Sequence, residues 1–123
     1  MRKILIIDDE PQILLLSATR LKANGYIVTT VLSGEQGLKE AQREMPDLIL
    51  LDHLMPGMDG GEVLDYLKKD PVTKHIPVLM FTANVKEVKA EEFQMQGAVG
   101  CLFKPFSSEE LLNKVKEVLD KKL

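Results

Sequence analysis

The sequence has few of the features that mark secreted, membrane-bound or nucleic-acid-binding proteins. Its 123 residues contain one cysteine and no tryptophan, so an internal disulfide is excluded and the reducing cytoplasm is the expected location. No apolar run approaches the length of a transmembrane helix, and the run after Met1-Arg2-Lys3 is too short for a signal peptide. A net charge of −3 gives no basic surface, so we expect no direct binding to nucleic acid or to a membrane.

The composition is that of an ordinary globular protein. Hydrophobic residues make up 45% of the chain and charged residues 28%, and no repeat, low-complexity segment or linker interrupts it. A chain of this length buries a sufficient core without disulfides or structural metals. We therefore expect a single domain over residues 1–123.

Short apolar runs alternate along the chain with segments of helical periodicity. The run Leu48–Leu51 has no polar position, which is typical of a strand buried on both faces of a parallel sheet. The alternation predicts an α/β fold with right-handed crossovers and helices on both faces, and the pattern itself leaves the strand order open. The predicted strands are Lys3–Ile7, Tyr26–Val31, Leu48–Leu51, Val78–Phe81 and Gly100–Phe103.

Five segments have the spacing of amphipathic helices. We expect Asp8 or Asp9 to cap the first helix and Asn24-Gly25 to end it. Ser107 and Glu110 predict a capping box before the last helix. The predicted buried faces are Ile13, Leu14, Leu16, Ala18 and Leu21; Leu38, Ala41 and Met45; Val63, Leu64 and Leu67; and Leu111, Leu112, Val115, Val118 and Leu119. The more polar fourth helix contains Val88, Glu91, Glu92 and Met95.

Polar and charged side chains follow four of the predicted strands. Asp8 and Asp9 follow the first strand, Asp52 the third, Thr82 the fourth and Lys104 the fifth. Parallel strands place their carboxyl ends at one edge of the sheet, where ligands bind in open α/β folds. We therefore expect the carboxylates, the hydroxyl and the ammonium to meet at that edge.

This expected edge has the composition of a magnesium-dependent phosphoryl site. Three carboxylates in one place repel one another unless a cation lies among them, and an all-oxygen donor set with room for water suits Mg²⁺. Asp52 is then a candidate nucleophile toward phosphorus that would form an aspartyl phosphate. Lys104 would pair with the transferred group, and Thr82 would hydrogen-bond one of its oxygens.

Four short motifs, taken together in this order and spacing, resemble the receiver domain of two-component response regulators, and the resemblance covers essentially the whole chain. Each motif alone has little specificity, whereas the joint order is highly specific. The motifs are Asp8-Asp9, Asp52 followed by Met55-Pro56-Gly57-Met58-Asp59-Gly60, Thr82-Ala83, and Lys104-Pro105-Phe106.

The resemblance implies a flavodoxin-like sheet of order 2-1-3-4-5 and a role in signal transduction by phosphorelay. Asp52 would accept a phosphoryl group from a sensor histidine kinase or a phosphotransfer protein. Asp9, Asp52 and the backbone carbonyl of Leu54 would bind Mg²⁺, with Asp8 assisting through water, and Thr82 and Lys104 would read the phosphoryl group.

The family also implies how the signal leaves the domain. The surface built from the fourth helix, fifth strand and fifth helix would change on phosphorylation and contact a downstream effector, which the sequence does not identify. A dimer that forms on phosphorylation is compatible with this arrangement. The phosphorylated protein would be a signalling switch rather than an enzyme with a small-molecule substrate.

The sequence departs from the family pattern at two positions. Many receivers carry an aromatic residue three positions before the lysine, and Cys101 stands there in this chain, so a relay through that ring is absent. Leu54 is apolar where some members have a polar side chain, so it cannot orient a hydrolytic water. We therefore expect slow self-dephosphorylation of Asp52.

Other functional classes account for fewer of these residues. An aspartyl-phosphate phosphatase would resemble Asp-x-Asp at the nucleophile, which Asp52-His53-Leu54 lacks, and a flavin carrier needs a phosphate-cradling loop where Asp8-Asp9-Glu10 stands. A degenerate receiver that acts only as a docking module stays open as the alternative. Taken singly, the acidic residues, Thr82 and Lys104 are ordinary cap, turn, loop or surface residues.

The remaining candidate residues have less specific interpretations. His53 and His75 lack metal-ligand spacing and are expected in loops or at the surface, although His53 is next to Asp52 and could touch the phosphodonor. Cys101, in a short apolar strand, is expected to be a buried inert thiol. Met55 and Met58 are compatible both with core packing and with contact to a partner.

Overall fold

The computed structural model describes residues 2–83 and 89–120. Five parallel strands form one sheet in the order β2-β1-β3-β4-β5, which confirms the predicted α/β fold and the order implied by the resemblance. The strands are β1 (Lys3–Ile7), β2 (Ile27–Val31), β3 (Leu48–Asp52), β4 (Val78–Thr82) and β5 (Gly100–Phe103). The helices are α1 (Pro11–Ala23), α2 (Gly34–Glu44), α3 (Gly60–Lys69), α4 (Lys89–Met95) and α5 (Ser108–Asp120). Val88, expected in the fourth helix, lies outside the described residues.

The sheet separates two apolar clusters, because successive side chains of a strand point to opposite faces. Ile4 and Ile6 of β1 belong to one cluster with residues of α1 and α5, on what we call the α1/α5 face. Leu5 and Ile7 belong to the other cluster, with residues of α2, α3 and α4, on what we call the α2–α4 face. The same alternation continues through β3, β4 and β5.

The central strand β3 is enclosed on both faces. All its residues are buried, and each of Leu48–Leu51 is 0% exposed. Burial of one leucine or isoleucine side chain contributes about 1.5–3 kcal/mol, so this strand is held firmly in the core. The tight packing of β3 therefore fixes the position of Asp52 at its carboxyl end.

The buried face of α1 differs from the prediction at Leu16. The residues of α1 that are buried are Leu14, Ser17, Ala18 and Leu21, whereas Leu16 is 66% exposed. The run Ile13–Leu16 is apolar throughout, so its pattern does not decide which side of the helix faces the core. In the structure, α1 is rotated so that Ser17 is buried and Leu16 is exposed.

The predicted end of α2 is also corrected. Met45 was expected on the buried face with Leu38 and Ala41, but it is the C-cap, has a left-handed φ of 48° and is 40% exposed. The following residue, Pro46, disfavours the right-handed helical conformation for the residue before it. Met45 therefore leaves the helix instead of completing its apolar face.

Other predicted helix ends agree with the structure. Asn24 is the C-cap of α1. Before α5, the backbone N–H of Glu110 donates to the Ser107 hydroxyl at 3.0 Å, and the N–H of Ser107 donates to the Glu110 carboxylate at 3.1 Å. In the described ranges, none of the helices has the length and apolar character that crossing a bilayer requires.

Candidate functional site

The carboxyl ends of β1 and β3 bring two aspartates together. The last paired residues are Ile7 and Leu51, so Asp8 and Asp52 follow side by side at the edge of the sheet. The alternation along the strands assigns both side chains to the α1/α5 face. Asp8 is 0% exposed and Asp52 4% exposed, so two carboxylates share a buried environment.

The Lys104 ammonium lies among three carboxylates. Its Nζ is 2.9 Å from Asp8 Oδ2, 2.9 Å from Glu10 Oε1 and 3.1 Å from Asp52 Oδ1. The lysine side chain is 11% exposed. Lys104 follows β5, and its backbone N–H donates to the carbonyl of Thr82 at 2.8 Å, which fixes the point from which the side chain reaches the acids.

The pKa values of Asp52 and Lys104 are both raised, for different reasons. Burial, followed by the neighbouring Asp8, raises the pKa of Asp52 to about 7, although Lys104 lowers it in part. Burial opposes the charge on Lys104, but its close contacts with the carboxylates of Glu10, Asp8 and Asp52 together outweigh burial and raise its pKa. The lysine is therefore a fixed positive charge at neutral pH.

The turn between β1 and α1 corrects the predicted helix cap. The N-cap of α1 is Glu10, with Pro11 in the first turn, and its side chain makes no cap hydrogen bond. Asp8 Oδ1 instead accepts the backbone N–H of Glu10 at 2.9 Å, so Asp8 stabilises the turn that precedes the helix. The Glu10 carboxylate is directed to Lys104, a contact that sequence reasoning missed, and the acidic run Asp8-Asp9-Glu10 was its only signal.

Four carboxylates at this edge have the geometry of a cation site. Oxygens of Asp8, Asp9, Glu10 and Asp52 lie within 4.8 Å of one another. Asp8 Oδ2 is fully buried and, within the described part of the chain, accepts no hydrogen bond of good geometry, its ionic neighbour being Lys104. An all-oxygen donor set that is buried at Asp8 and Asp52 and open to solvent at Asp9 and Glu10 fits Mg²⁺, which keeps bound waters.

The loop after β3 is held close to Asp52. The backbone N–H of Gly60 donates to the carbonyl of His53 at 2.7 Å, and Asp59 caps α3 through a capping box with Glu62. Leu54 lies in this loop and is 65% exposed. The N-terminus of α3 thus returns to the residue that follows Asp52.

Thr82 also lies at the same edge. It ends β4, is 1% exposed and is in register with Phe103 of β5. Its carbonyl accepts the Lys104 N–H, so the predicted hydroxyl and ammonium residues are neighbours. The structure therefore brings Asp8, Asp9, Asp52, Thr82 and Lys104 to one edge of the sheet.

The other candidate residues lie around this edge or far from it. Cys101 is half-buried, and burial raises the pKa of its thiol against the opposing effect of Lys114, which disfavours the reactive thiolate. His75 is exposed, whereas His53 packs against Phe93 of α4. Met55 is buried in the core and Met58 is partly buried against it.

The sheet order and the acidic edge define the class of this protein, and the comparison with known families agrees. The response regulator receiver domain family matches residues 4–116. The chain belongs to this family, the receiver domains of two-component signal transduction.

Individual relatives fall into two groups by length. Protein PilH of Pseudomonas aeruginosa is 35% identical over 119 residues, covering 97% of this chain and 98% of that protein. The alkaline phosphatase synthesis transcriptional regulatory protein PhoP of Bacillus subtilis is 40% identical, covering 96% of this chain but 48% of that protein. The chain spans about half the length of the first curated relatives that it matches.

Solved structures extend the similarity to the full fold. The chemotaxis protein CheY4 of Vibrio cholerae aligns with a TM-score of 0.91 and 35% identity, covering 97% of this chain and 99% of that chain. The Francisella response regulator 1452 receiver domain aligns with a TM-score of 0.92 and 28% identity over 100% of both chains.

Proposed function

We propose that this protein is a phosphoacceptor signalling switch in which Asp52 receives a phosphoryl group from a sensor histidine kinase or a phosphotransfer protein. The observation that carries the proposal is the buried Asp52 carboxylate, which lies 3.1 Å from the Lys104 ammonium among the acids at the carboxyl edge of the sheet. Membership of the receiver family supports the same conclusion.

In the proposed transfer, an oxygen of the Asp52 carboxylate attacks phosphorus and forms an O–P bond. The P–N bond to the donor histidine breaks, and its electron pair returns to the imidazole nitrogen. Lys104 is a fixed positive charge beside Asp52, so it would pair with an oxygen of the incoming group. The Thr82 hydroxyl would hydrogen-bond another of these oxygens.

Asp9, Asp52 and the backbone carbonyl of Leu54 would hold Mg²⁺, with Asp8 acting through a bound water. Bound Mg²⁺ supplies positive charge that neutralises the phosphoryl oxygens. The clustering of the four carboxylates within 4.8 Å supports this donor set. The cluster also contains Glu10, whose carboxylate lies 2.9 Å from Lys104 Nζ.

Intact mass after incubation with acetyl phosphate tests the proposed function. We expect one added phosphoryl group in the presence of Mg²⁺, and none either without Mg²⁺ or in the Asp52→Asn variant. Asparagine keeps the shape of the side chain and removes the nucleophilic oxygen, so it is a matched control. An adduct that survives Asp52→Asn would show that another residue is phosphorylated.

Two rival functions predict different results in the same assay. A degenerate receiver used only for docking would give no adduct although Mg²⁺ binding is detected. An aspartyl-phosphate phosphatase would give an adduct that turns over rapidly. The apolar Leu54 beside the site supports a stored phosphoryl group, because no acid-base side chain stands at that position.

Leu54 is expected to set the lifetime of the phosphorylated state. Its side chain is 65% exposed beside Asp52 and offers no hydrogen bond to a water attacking phosphorus. We expect Leu54→Asn to speed dephosphorylation by about tenfold, because a polar side chain can orient that water; the effect is smaller than that of a general acid or base, roughly 10²–10⁴-fold, because the amide does not accept the proton of the water. The measurement is loss of the phosphoryl mass with time.

Leu54→Met is the matched control for that rate, because methionine changes the shape of the side chain while keeping it apolar. It should leave the lifetime of the adduct within about twofold of the original. Equal rates in all three proteins would contradict the role assigned to Leu54.

We further propose that the signal leaves through α4, β5 and α5 toward a downstream effector, with a phosphorylation-dependent dimer as one form of the output. Met95 is 89% exposed and Val99 46% exposed at the end of α4 and just after it, so this surface carries apolar side chains suited to a partner. A single domain over residues 1–123 and a cytoplasmic location stay predictions.

A further inference from the structure

The residue that follows the proposed phosphoacceptor touches α4 through an aromatic contact. The rings of His53 and Phe93 pack edge to face, with centroids 5.0 Å apart and planes inclined by 76°. Edge-to-face packing of aromatic rings is favourable beyond the area it buries. A side chain adjacent to Asp52 is therefore in direct contact with a helix of the proposed output surface.

The backbone of His53 is held on both sides. Its N–H donates to the carbonyl of Phe81 in β4 at 2.9 Å, and its carbonyl accepts the N–H of Gly60 at 2.7 Å. These bonds tie His53 to the central part of the sheet and to the start of α3. The position of the His53 ring consequently follows the carboxyl end of β3, where Asp52 lies.

The ring of Phe93 attaches α4 to the body of the protein. Among residues 91–95, the part of α4 whose side chains the structure describes, Phe93 is buried and its neighbours are exposed. Phe93 is 3% exposed and belongs to the apolar cluster of the α2–α4 face. Among residues 91–95, Phe93 is therefore the side chain through which a change in the packing beneath α4 reaches this helix.

The aromatic residue that many receivers carry three positions before the lysine is replaced by Cys101 in this chain. Cys101 packs against the same cluster, but it is a short, half-buried side chain that carries no ring. His53, in contrast, continues the alternation of Ile49 and Leu51 toward the α2–α4 face. The ring contact from β3 to α4 thus lies on the face where a ring at position 101 would lie.

We propose that His53 is a positioning residue of the switch, and that its ring sets the position of Phe93, and with it α4, according to the backbone next to Asp52. This inference rests on the proposed function, since it takes Asp52 as the residue that is phosphorylated. A shift of the backbone at Asp52 and His53 would then be transmitted to α4 through the contact between the His53 and Phe93 rings.

Amide NMR spectra of the ¹⁵N-labelled protein test this inference. Spectra are recorded with Mg²⁺ alone and after addition of beryllofluoride, which imitates the phosphoryl group on Asp52. In the unsubstituted protein we expect amide shifts both in the β1–α1 turn and over residues 91–99. In His53→Ala the turn should respond as before, while the response over 91–99 should fall by about three- to tenfold, the range in which one aromatic pair biases a two-state equilibrium.

A rescue variant separates positioning from simple stability. His53→Phe keeps a ring at the contact and should restore most of the response over residues 91–99, whereas Phe93→Leu, which removes the other ring, should lose it. Cys101→Ala should leave the response unchanged. Thermal unfolding of each variant shows whether the amide response over residues 91–99 falls because the ring contact is removed or because the protein is less stable.

Two outcomes would overturn the inference in distinguishable ways. If His53→Ala responds over residues 91–99 as strongly as the unsubstituted protein while acetyl phosphate still gives the Asp52 adduct, the inference is wrong and the proposed function stands. If the unsubstituted protein gives neither an adduct nor any beryllofluoride response, the proposed function is wrong and the inference fails with it.

Discussion

Lys104→Met is expected to destabilise the protein by about 3 kcal/mol in Mg²⁺-free buffer, because removing one partner of a buried ion pair leaves the other charge uncompensated. The ammonium lies within 3.1 Å of three carboxylates, and Asp8 among them has no exposed surface. Methionine retains most of the volume of the lysine side chain, so the loss of stability reflects the missing charge rather than a cavity. Urea unfolding followed by far-UV circular dichroism measures it.

Lys69→Met is the matched control for this substitution. Lys69 pairs with Asp65 at 2.9 Å, but the two side chains are 76% and 52% exposed, so solvent screens the pair and we expect no measurable loss of stability. Addition of Mg²⁺ should restore much of the stability of Lys104→Met, since a cation that binds the carboxylates only in the folded protein stabilises the folded state. Equal losses in the two variants would contradict the role assigned to the buried cluster.

The main features of the fold and of the acidic edge were predictable because they follow from local patterns. An apolar run ending on Asp52 has few alternatives to a buried parallel strand. Once β1, β3, β4 and β5 are parallel, their last residues must meet at one edge. The strand order, however, came from the resemblance, because hydrophobic periodicity carries no information on which strands are neighbours.

The features that sequence reasoning missed depend on contacts between distant parts of the chain. Glu10 lies in a turn, outside any strand, so no periodicity directs its carboxylate to Lys104, 94 residues away. Leu16 belongs to an apolar run that fits several helical phases. The ring contact of His53 with Phe93 depends on how α4 packs on the sheet, which neither residue reveals alone.

Gly60→Ala is expected to destabilise the protein by about 2–3 kcal/mol, as overpacking of a rigid site typically does. A Cβ atom at this position would overlap the carbonyl oxygen of Asp52 and would lie 2.8 Å from the Cα of His53. Both are backbone atoms at the end of β3, and neither can rotate away. The start of α3 would have to separate from β3, which weakens the hydrogen bond from Gly60 to His53.

The same displacement should slow phosphorylation of Asp52 by about tenfold or more, because small misplacements of a reacting group have large effects on rate.

Gly61→Ala is the adjacent control. The nearest atom to its Cβ would be Asp59 Oδ1 at 3.3 Å, a side-chain atom that can move by the few tenths of an ångström required, and alanine is a better helix former than glycine, so this variant should lose far less stability than Gly60→Ala. Urea unfolding and the rate of adduct formation from acetyl phosphate therefore separate the two glycines. Similar behaviour of both variants would mean that the approach of α3 to Asp52 is looser than the structure indicates, and that the support of the phosphoacceptor lies elsewhere.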